Sequence, residues 1–384
     1  MDATKFTEPT GQLVSIVNGT ELAFVPGPLP RHWEPTGRLI KLWVEAREVL
    51  GELRGTGRTL PDHALLIRPL RQREALRSSS LEGTYATPAE LLAYEKDPRD
   101  PHSSKDPANV WREVFNYQTS LETGQKLVED GYPFSEWFIR QLHEILLKGV
   151  RGDDKSPGQI RQDQVYIGAG HRFTPPPHEH LPVLMGQLER DMKEETDIDP
   201  LIRSFMVHYQ FETIHPFRDG NGRVGRLLLA LMIYKECGLG LPWLYLSEYF
   251  ERYKDEYIDN LFNVSAQNKW DEWIGFCLQA TIKTGRETIT RINKLLDLKH
   301  SYEERIKTHD GRDRLVHLLP YLMSSPVIRY EDLRRKLNVS YPTARADMDA
   351  LIKMGIVQEL PGTKSPKMYY ATEIFKIAYL DGDA

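Results

Sequence analysis

Two almost unbroken apolar stretches, Phe205-Met206-Val207-His208-Tyr209-Gln210-Phe211 and Leu227-Leu228-Leu229-Ala230-Leu231-Met232-Ile233-Tyr234, flank a short polar run rich in glycine and arginine. Each is long enough for two helical turns, and the glycines between them mark a tight loop, so helix, loop, helix is predicted. Helical periodicity governs the chain from Pro35 to about Leu298. It breaks at Gly158–Gly168, where period-two alternation predicts a β-hairpin, closed by Pro175-Pro176-Pro177 before a helix resumes near Leu181. Residues 68–94 read as a helix ending near Gly83 and a second one started by Thr87-Pro88. Residues 1–30, with Pro26, Pro28 and Pro30, read as an irregular arm. In the tail, helices are predicted over 312–322, 330–337 and 341–354. A hairpin follows, built from 356–360, a Pro361-Gly362 turn and 367–371.

The polar run, His215-Pro216-Phe217-Arg218-Asp219-Gly220-Asn221-Gly222-Arg223-Val224-Gly225-Arg226, is the densest chemistry in the chain. Gly220 and Gly222 open backbone conformations closed to other residues and remove side chains that would hold a phosphate away from main-chain N–H groups. The helix that follows turns its free N–H groups and positive dipole end into the same concavity, which suits a polyphosphate. Asn221 offers a further donor. Arg223 and Arg226, three apart, can each engage a phosphoryl group with forked donors. Asp219, the lone carboxylate of the loop, fits a ligand for a phosphate-bound Mg²⁺. His215, four residues earlier, could accept a proton from an incoming hydroxyl, which points to a transferase rather than a simple binder.

These residues match every fixed position of the signature His-Pro-Phe-x-(Asp/Glu)-Gly-Asn-Gly-Arg-x-x-Arg, and the chain resembles the Fic family over roughly residues 30–290. The resemblance implies a mainly α fold, with a helical core under a β-hairpin flap, and transfer of AMP from ATP to a Tyr, Thr or Ser hydroxyl of a target protein or of the chain itself. It makes His215 the general base, Asp219 the Mg²⁺ carboxylate, and 220–226 (Gly220, Asn221, Gly222, Arg223, Val224, Gly225, Arg226) the nucleotide cradle, with Arg223 and Arg226 on the β- and γ-phosphates. Ile167 and Gly168 would belong to the flap, along which a target segment docks near 160–170 by main-chain pairing. Tyr257 would lie near the adenine; Ser265 stands where some members carry an asparagine.

Upstream, Ser78-x-x-x-Glu82-Gly83 is similar to the inhibitory (Ser/Thr)-x-x-x-Glu-(Gly/Asn) motif of autoinhibited members. A carboxylate paired with Arg226 would take the guanidinium that a γ-phosphate needs, and would place negative charge where a triphosphate must dock. Ser78 would hold the helix in place.

Composition adds bounds. The chain has 384 residues, 50 Lys+Arg against 55 Asp+Glu and a net charge of −5, which gives no general pull toward nucleic acid or membrane. The start lacks the basic and apolar runs of a signal peptide, and Cys237 and Cys277 lack metal-type spacing, so a cytoplasmic location is expected. The expected organisation is an arm at 1–30, an N-terminal helical domain at 31–110, a catalytic domain at 111–290, and a linker helix with a winged helix-turn-helix at 291–384. In the last, Val339-Ser340 makes the turn and Pro342 opens the recognition helix. That helix sets Arg345 and Lys353 against Asp347 and Asp349, and residues 302–384 hold 13 Lys+Arg against 12 Asp+Glu. A duplex reader needs a basic face, so protein contact or dimerisation is favoured over DNA binding. A homodimer, a nucleotide-sensing DNA-binding regulator and removal of AMP by the same site are the alternatives.

Overall fold

The computed structural model describes the chain except Val17, Asn18, Thr20, residues 60–63, Ser104, Asp310, residues 362–366 and residues 381–384. Its centre is a pair of antiparallel helices, α7 (Pro200–Ile214) and α8 (Asn221–Glu236), joined by the polar loop. Both are buried around nearly their whole circumference, from Leu201 to Ile214 and from Asn221 to Ile233. This is why the two stretches read as continuous apolar runs rather than as stripes. Around the pair pack α4 (Ala108–Glu129), α5 (Glu136–Leu147), α6 (Leu181–Lys193), α9 (Ser247–Arg252) and α10 (Lys254–Gln267).

Long helix α11 (Trp270–Ile306) runs from this core into the tail, and α1 (Gly37–Thr59) lies along it. The two approach so closely at Gly285 that a Cβ there would come within 2.3 Å of Val49 Cγ1. Helix α2 (Ala64–Leu81) sits between α4, α9 and the tail. It ends where Gly83 turns at φ +82°, and α3 (Pro88–Lys96) begins with a capping box in which Thr87 and Glu90 bond each other's backbone N–H. Both boundaries agree with the sequence.

Three expectations change. Residues 11–26 are not an irregular arm: β1 (Gly11–Ile16) and β2 (Glu21–Pro26) pair antiparallel in register Gly11↔Pro26 to Ile16↔Glu21. Phe24 anchors them, fully buried between Phe6 and Phe173, and its N–H donates to Thr174 O at 2.9 Å. The pairing is thus stabilised by a segment 150 residues away in sequence, beyond the reach of local propensity. Second, Gly158–Gly168 forms no strand; its pairing shrinks to a bridge between Ile167 and Phe173. Its backbone groups are instead taken by side chains and by the central loop, as Arg161 N–H bonded to Pro216 O illustrates.

Third, the tail gains a helix. The expected order holds for α12 (Arg312–Ser324), α13 (Tyr330–Leu337), α14 (Tyr341–Lys353), β4 (Gln358–Glu359) and β5 (Tyr369–Tyr370); an additional strand, β3 (Val327–Ile328), makes a sheet of order β3-β5-β4. The expected Pro361-Gly362 turn lies partly outside the described residues. An additional helix, α15 (Thr372–Tyr379), folds back onto α11 and α2. On α14, Asp347 does not offset the surface cations: it is buried and bonded twice to Arg314, at 2.6 and 2.8 Å. The exposed charges of that helix are Arg345, Asp349 and Lys353.

One buried group inside this framework titrates near neutrality. Glu74, on α2, accepts from Tyr117 Oη at 2.8 Å and Ser247 Oγ at 2.5 Å through one oxygen, while its other oxygen has no partner. Burial raises its pKa to about 7, against the lowering by its hydroxyl partners. A raised acid favours the protonated folded state, so its contribution is complete below about pH 4.5 and is lost as pH climbs through 7. Thermal unfolding between pH 4 and 8.5 is therefore expected to show a fall in Tm from about pH 4.5 to 7 that levels off above it and is flattened in Glu74→Gln. An unchanged slope would remove Glu74 as its source.

Candidate functional site

Helix α7 ends at His215, which adopts the left-handed conformation (φ +50°, ψ 60°) rare for a residue with a Cβ. Its N–H still donates to Phe211 O at 3.0 Å, closing the helix. The imidazole lies at the mouth of the loop, with Nδ1 3.2 Å from Glu212 O. A carbonyl can only accept, so Nδ1 carries the proton and Nε2 keeps its lone pair. Burial lowers the His215 pKa to about 4, and the ring is neutral at physiological pH.

The loop is held by its own polar groups. Asn221 accepts from Phe217 N–H and donates to Phe217 O, both at 2.8 Å. Its amide closes the loop. Phe217 is fully buried and stacks on His143 of α5, with centroids 3.7 Å apart and planes 5° from parallel. His143 Nδ1 accepts from Gly158 N–H at 2.8 Å, so its Nε2 donates to Asp219 O at 3.0 Å. Arg161 donates from Nε to His215 O at 2.9 Å and from Nη2 to Pro176 O at 2.6 Å, placing positive charge at the carbonyl end of α7. Burial lowers its pKa to about 10.

The two arginines part company. Arg223 is fully buried, 3.4 Å from Glu113 and 3.5 Å from Asp219, and does not line the cavity above the loop. Three positions before Arg226 on α8, Arg223 lies under the loop, where two carboxylates balance its charge. Arg226 does line the cavity, and it is occupied. Its Nη2 donates to Glu82 Oε1 at 2.7 Å and Ser78 O at 3.0 Å, and its Nε to Ser78 Oγ at 2.8 Å. Burial pushes the Glu82 carboxyl up, but Arg226, with help from Arg223, outweighs it and leaves the pKa below the usual value. Burial likewise opposes the Arg226 charge, which Glu82, Tyr257 and Glu212 together raise above its ordinary pKa.

The carboxylate sits on the first turn of α8: a Cβ on Gly222 would come within 2.2 Å of Glu82 Oε1. Thus the glycine that the sequence reserved for a phosphate here admits a side-chain anion. Gly83 and Thr84 fix the approach, with Thr84 Oγ1 donating to Glu113 at 2.8 Å, and Lys254 caps Leu81 O at 2.7 Å.

The cavity has a volume of about 240 Å³. Glu82, Glu212, His215, Gly222 and Arg226 make its polar wall; Ile167, Gly168, Phe173, Tyr257, Ile258 and Phe262 supply much of the rest. Tyr257 is buried, donates to His208 Nε2 at 2.9 Å and stacks on Phe250 at 4.5 Å. The opposite nitrogen of His208 donates to Gly225 O at 3.1 Å. Ser265, which also lines the cavity, has its hydroxyl bonded to Tyr209 Oη at 2.9 Å. Of the other cradle residues, Val224 is core and Gly225 lies beneath the wall: a Cβ there would meet Glu212 Oε1 at 2.2 Å.

Asp219 Oδ1 accepts from Gly220 N–H at 2.6 Å, and its side chain is 36% exposed. Among the described residues no group of three or more His, Cys, Asp or Glu side chains converges as a metal cage. A single partly open carboxylate fits Mg²⁺, which keeps water and phosphate oxygens as most of its ligands.

His143, Arg161, Glu113 and Glu212 escaped the sequence reading. Glu212 had a signal, three residues before His215 on the same helix; the others come from distant segments and had none. Burial raises the Glu212 pKa to about 8, and one of its oxygens has no partner.

Two family models match the chain: the Fic/DOC family over residues 133–233 and the Fic/DOC family N-terminal region over 40–126. A probable protein adenylyltransferase of Aquifex aeolicus is 34% identical over 145 residues, 38% of this chain and 42% of that protein. The protein adenylyltransferase fic-1 of Caenorhabditis elegans is 36% identical over 99 residues, 25% of this chain and 18% of the relative. The chain thus spans less than half the length of these curated relatives. A crystal structure of a Fic family protein from Desulfovibrio desulfuricans G20 has the same fold, with a TM-score of 0.56 at 22% identity over 92% of this chain and 99% of that one. Fic-1 of C. elegans, residues 134–508, gives a TM-score of 0.55 at 21% identity over 67% of this chain and 74% of that one. With both family regions matched and the loop of 215–226 complete, the chain belongs to the Fic/DOC family.

Proposed function

We propose that the chain is an autoinhibited protein adenylyltransferase that moves AMP from ATP to a hydroxyl side chain. One observation carries this reading: a neutral imidazole with a free Nε2 and a buried arginine held by a removable carboxylate face one cavity. In the reaction the hydroxyl oxygen attacks the α-phosphorus as its proton passes to His215 Nε2; the α–β phosphoanhydride bond breaks and pyrophosphate leaves. Arg226 and the first turn of α8 would hold the terminal phosphates once Glu82 withdraws. Asp219 would hold Mg²⁺, which when bound offsets phosphate charge; Arg223 then acts on Asp219 rather than on the nucleotide. The apolar wall with Tyr257 suits the base. A target segment would lie against the extended stretch near 163–168, beside the Ile167–Phe173 bridge.

We favour protein contact over a duplex for the tail, since the exposed charges of α14, Arg345, Asp349 and Lys353, are mixed in sign. A homodimer and a cytoplasmic setting belong to the same proposal. Among the described residues no helix is long and apolar enough to cross a membrane.

Two measurements test the site. Full-length wild type, Glu82→Gly and His215→Ala are incubated with Mg²⁺ and ATP, and adenylyl groups are counted by intact mass. A competitor bound through a charged hydrogen bond is worth about 1.5–3 kcal/mol, so Glu82→Gly should gain roughly 10- to 100-fold. Removal of a general base should cost roughly 10²- to 10⁴-fold. No gain in Glu82→Gly ends the inhibitory reading; transfer by His215→Ala within about tenfold of wild type ends the assignment of the base. In the Glu82→Gly background, Asn221→Ala should loosen the loop, with a loss of about 1–3 kcal/mol in stability from the two unpaired Phe217 groups and at least a tenfold drop in transfer. Retention of both would show that the loop does not rely on that amide.

A further inference from the structure

The inhibitory carboxylate stands one residue past the end of α2, and the far part of that helix is gripped by the C-terminal unit. Arg73, nearly fully buried, donates from Nη1 to Tyr379 O at 2.7 Å, while its Nε and Nη2 bond both oxygens of Glu248 on α9, at 2.8 and 2.5 Å. Tyr379 is itself buried, and its hydroxyl donates to Gln72 Oε1. Gln72 Nε2 donates to both oxygens of Glu95 on α3, at 2.7 and 2.8 Å, and Arg68 pairs with the same carboxylate at 2.7 Å. From α11, Arg291 Nε donates to Ile377 O at 2.9 Å. The carbonyls of a helix's last turn lack intrahelical donors and carry its negative dipole end. Those of α15 are met by one guanidinium from α11 and one from the inhibitory helix.

A second grip acts on α3, just beyond the inhibitory turn. Lys96 Nζ lies 3.3 Å from Asp332 of α13, and Arg329 donates to Lys96 O at 2.8 Å. The C-terminal unit therefore holds the chain on both sides of Glu82.

The character of α2 makes such a grip consequential. Between Gln72 and Ser79 its buried side chains are Gln72, Arg73, Glu74, Ser78 and Ser79, against only Ala75 and Leu76. A helix seated through polar groups is bound by specific hydrogen bonds, and the loss of a few shifts its seating more than the loss of an equal number would in an apolar interface. Arg73 and Glu82 are nine residues apart, about 13 Å along the axis, short enough for a displacement at one end to be felt at the other.

We propose that α15 is a clasp on the inhibitory helix: its seam with Gln72 and Arg73 keeps α2 seated so that Glu82 stays on Arg226, and opening the seam activates the site. The proposal rests on the reading of Glu82 as the inhibitor. The tail is then a regulatory unit in cis, and anything that draws α15 away from α2 acts as an activator without touching the nucleotide cavity.

The test uses the full chain with Arg73→Ala, Tyr379→Ala and Tyr379→Phe, the last keeping the ring and removing only the bond to Gln72. AMP incorporation from Mg-ATP is measured beside wild type, Glu82→Gly and the double variant Arg73→Ala/Glu82→Gly, with thermal melts to establish folding. Amide hydrogen exchange over residues 72–86 is followed without nucleotide. Folded Arg73→Ala and Tyr379→Ala are expected to exchange faster over 78–83 and to incorporate at least fivefold more AMP than wild type, with Tyr379→Phe between. The double variant should not exceed Glu82→Gly, because both changes release the same arginine. Unchanged exchange at 78–83 in a folded seam variant overturns the clasp, and so does a wild-type level of transfer beside an active Glu82→Gly. A double variant more active than Glu82→Gly by the full single-variant factor overturns it too. An inactive Glu82→Gly refutes the reading of the site, and the exchange result then decides the clasp alone.

Discussion

A guanidinium taken out of water must have an anion beside it, and that requirement at Arg226 organises much of this molecule. The side chain projects from a helix buried on nearly every side, so its charge cannot reach solvent, and loss of the partner would leave an ion in a low-dielectric interior. Within the chain, Glu82 meets the need, aided by the Ser78 hydroxyl and carbonyl. A triphosphate would meet it equally well. In this structure the Glu82 carboxylate takes that place, lying where a side chain on Gly222 would stand at the first turn of α8.

His215 is arranged by different constraints. His215 is pinned by its own backbone in a left-handed turn, its Nδ1 proton goes to a carbonyl one turn back, and Arg161 and Asn221 hold the surrounding loop through main-chain contacts. None of these groups needs to change when a carboxylate gives way to a phosphate. These contacts are separate from the Glu82–Arg226 pair, which joins α8 to the turn that follows α2.

Much of this was legible in the chain itself. The spacing from His215 to Arg226 defined the loop, its two helices and its chemistry, because loop chemistry is local: the glycines, the base and the carboxylate lie within twelve residues. Ser78 and Glu82 were also legible, since one turn of helix separates them and both meet the same arginine. Local signals likewise placed the turn at Gly83 and the capping box at Thr87. Where the reading went astray, the deciding partner was far away in sequence. Phe24 ties β2 to Phe173 and Thr174, Arg161 draws the expected hairpin onto the central loop, and Asp347 is turned inward by Arg314.

Sequence alone thus determined which chemical groups are present and how closely they follow one another: a phosphate-type loop with a base at its mouth, and an acidic motif able to oppose it. Tertiary structure decided which of those groups compete. It turned Arg223 beneath the loop onto Glu113 and Asp219, left Arg226 to face the cavity, spent the Asn221 amide on closing the loop, and seated Glu82 through a helix gripped by the chain's last helix. The physical reason is that a residue's partner, once buried, is set by which distant segment packs against it, and an ion or amide in that interior takes whatever complement the packing supplies.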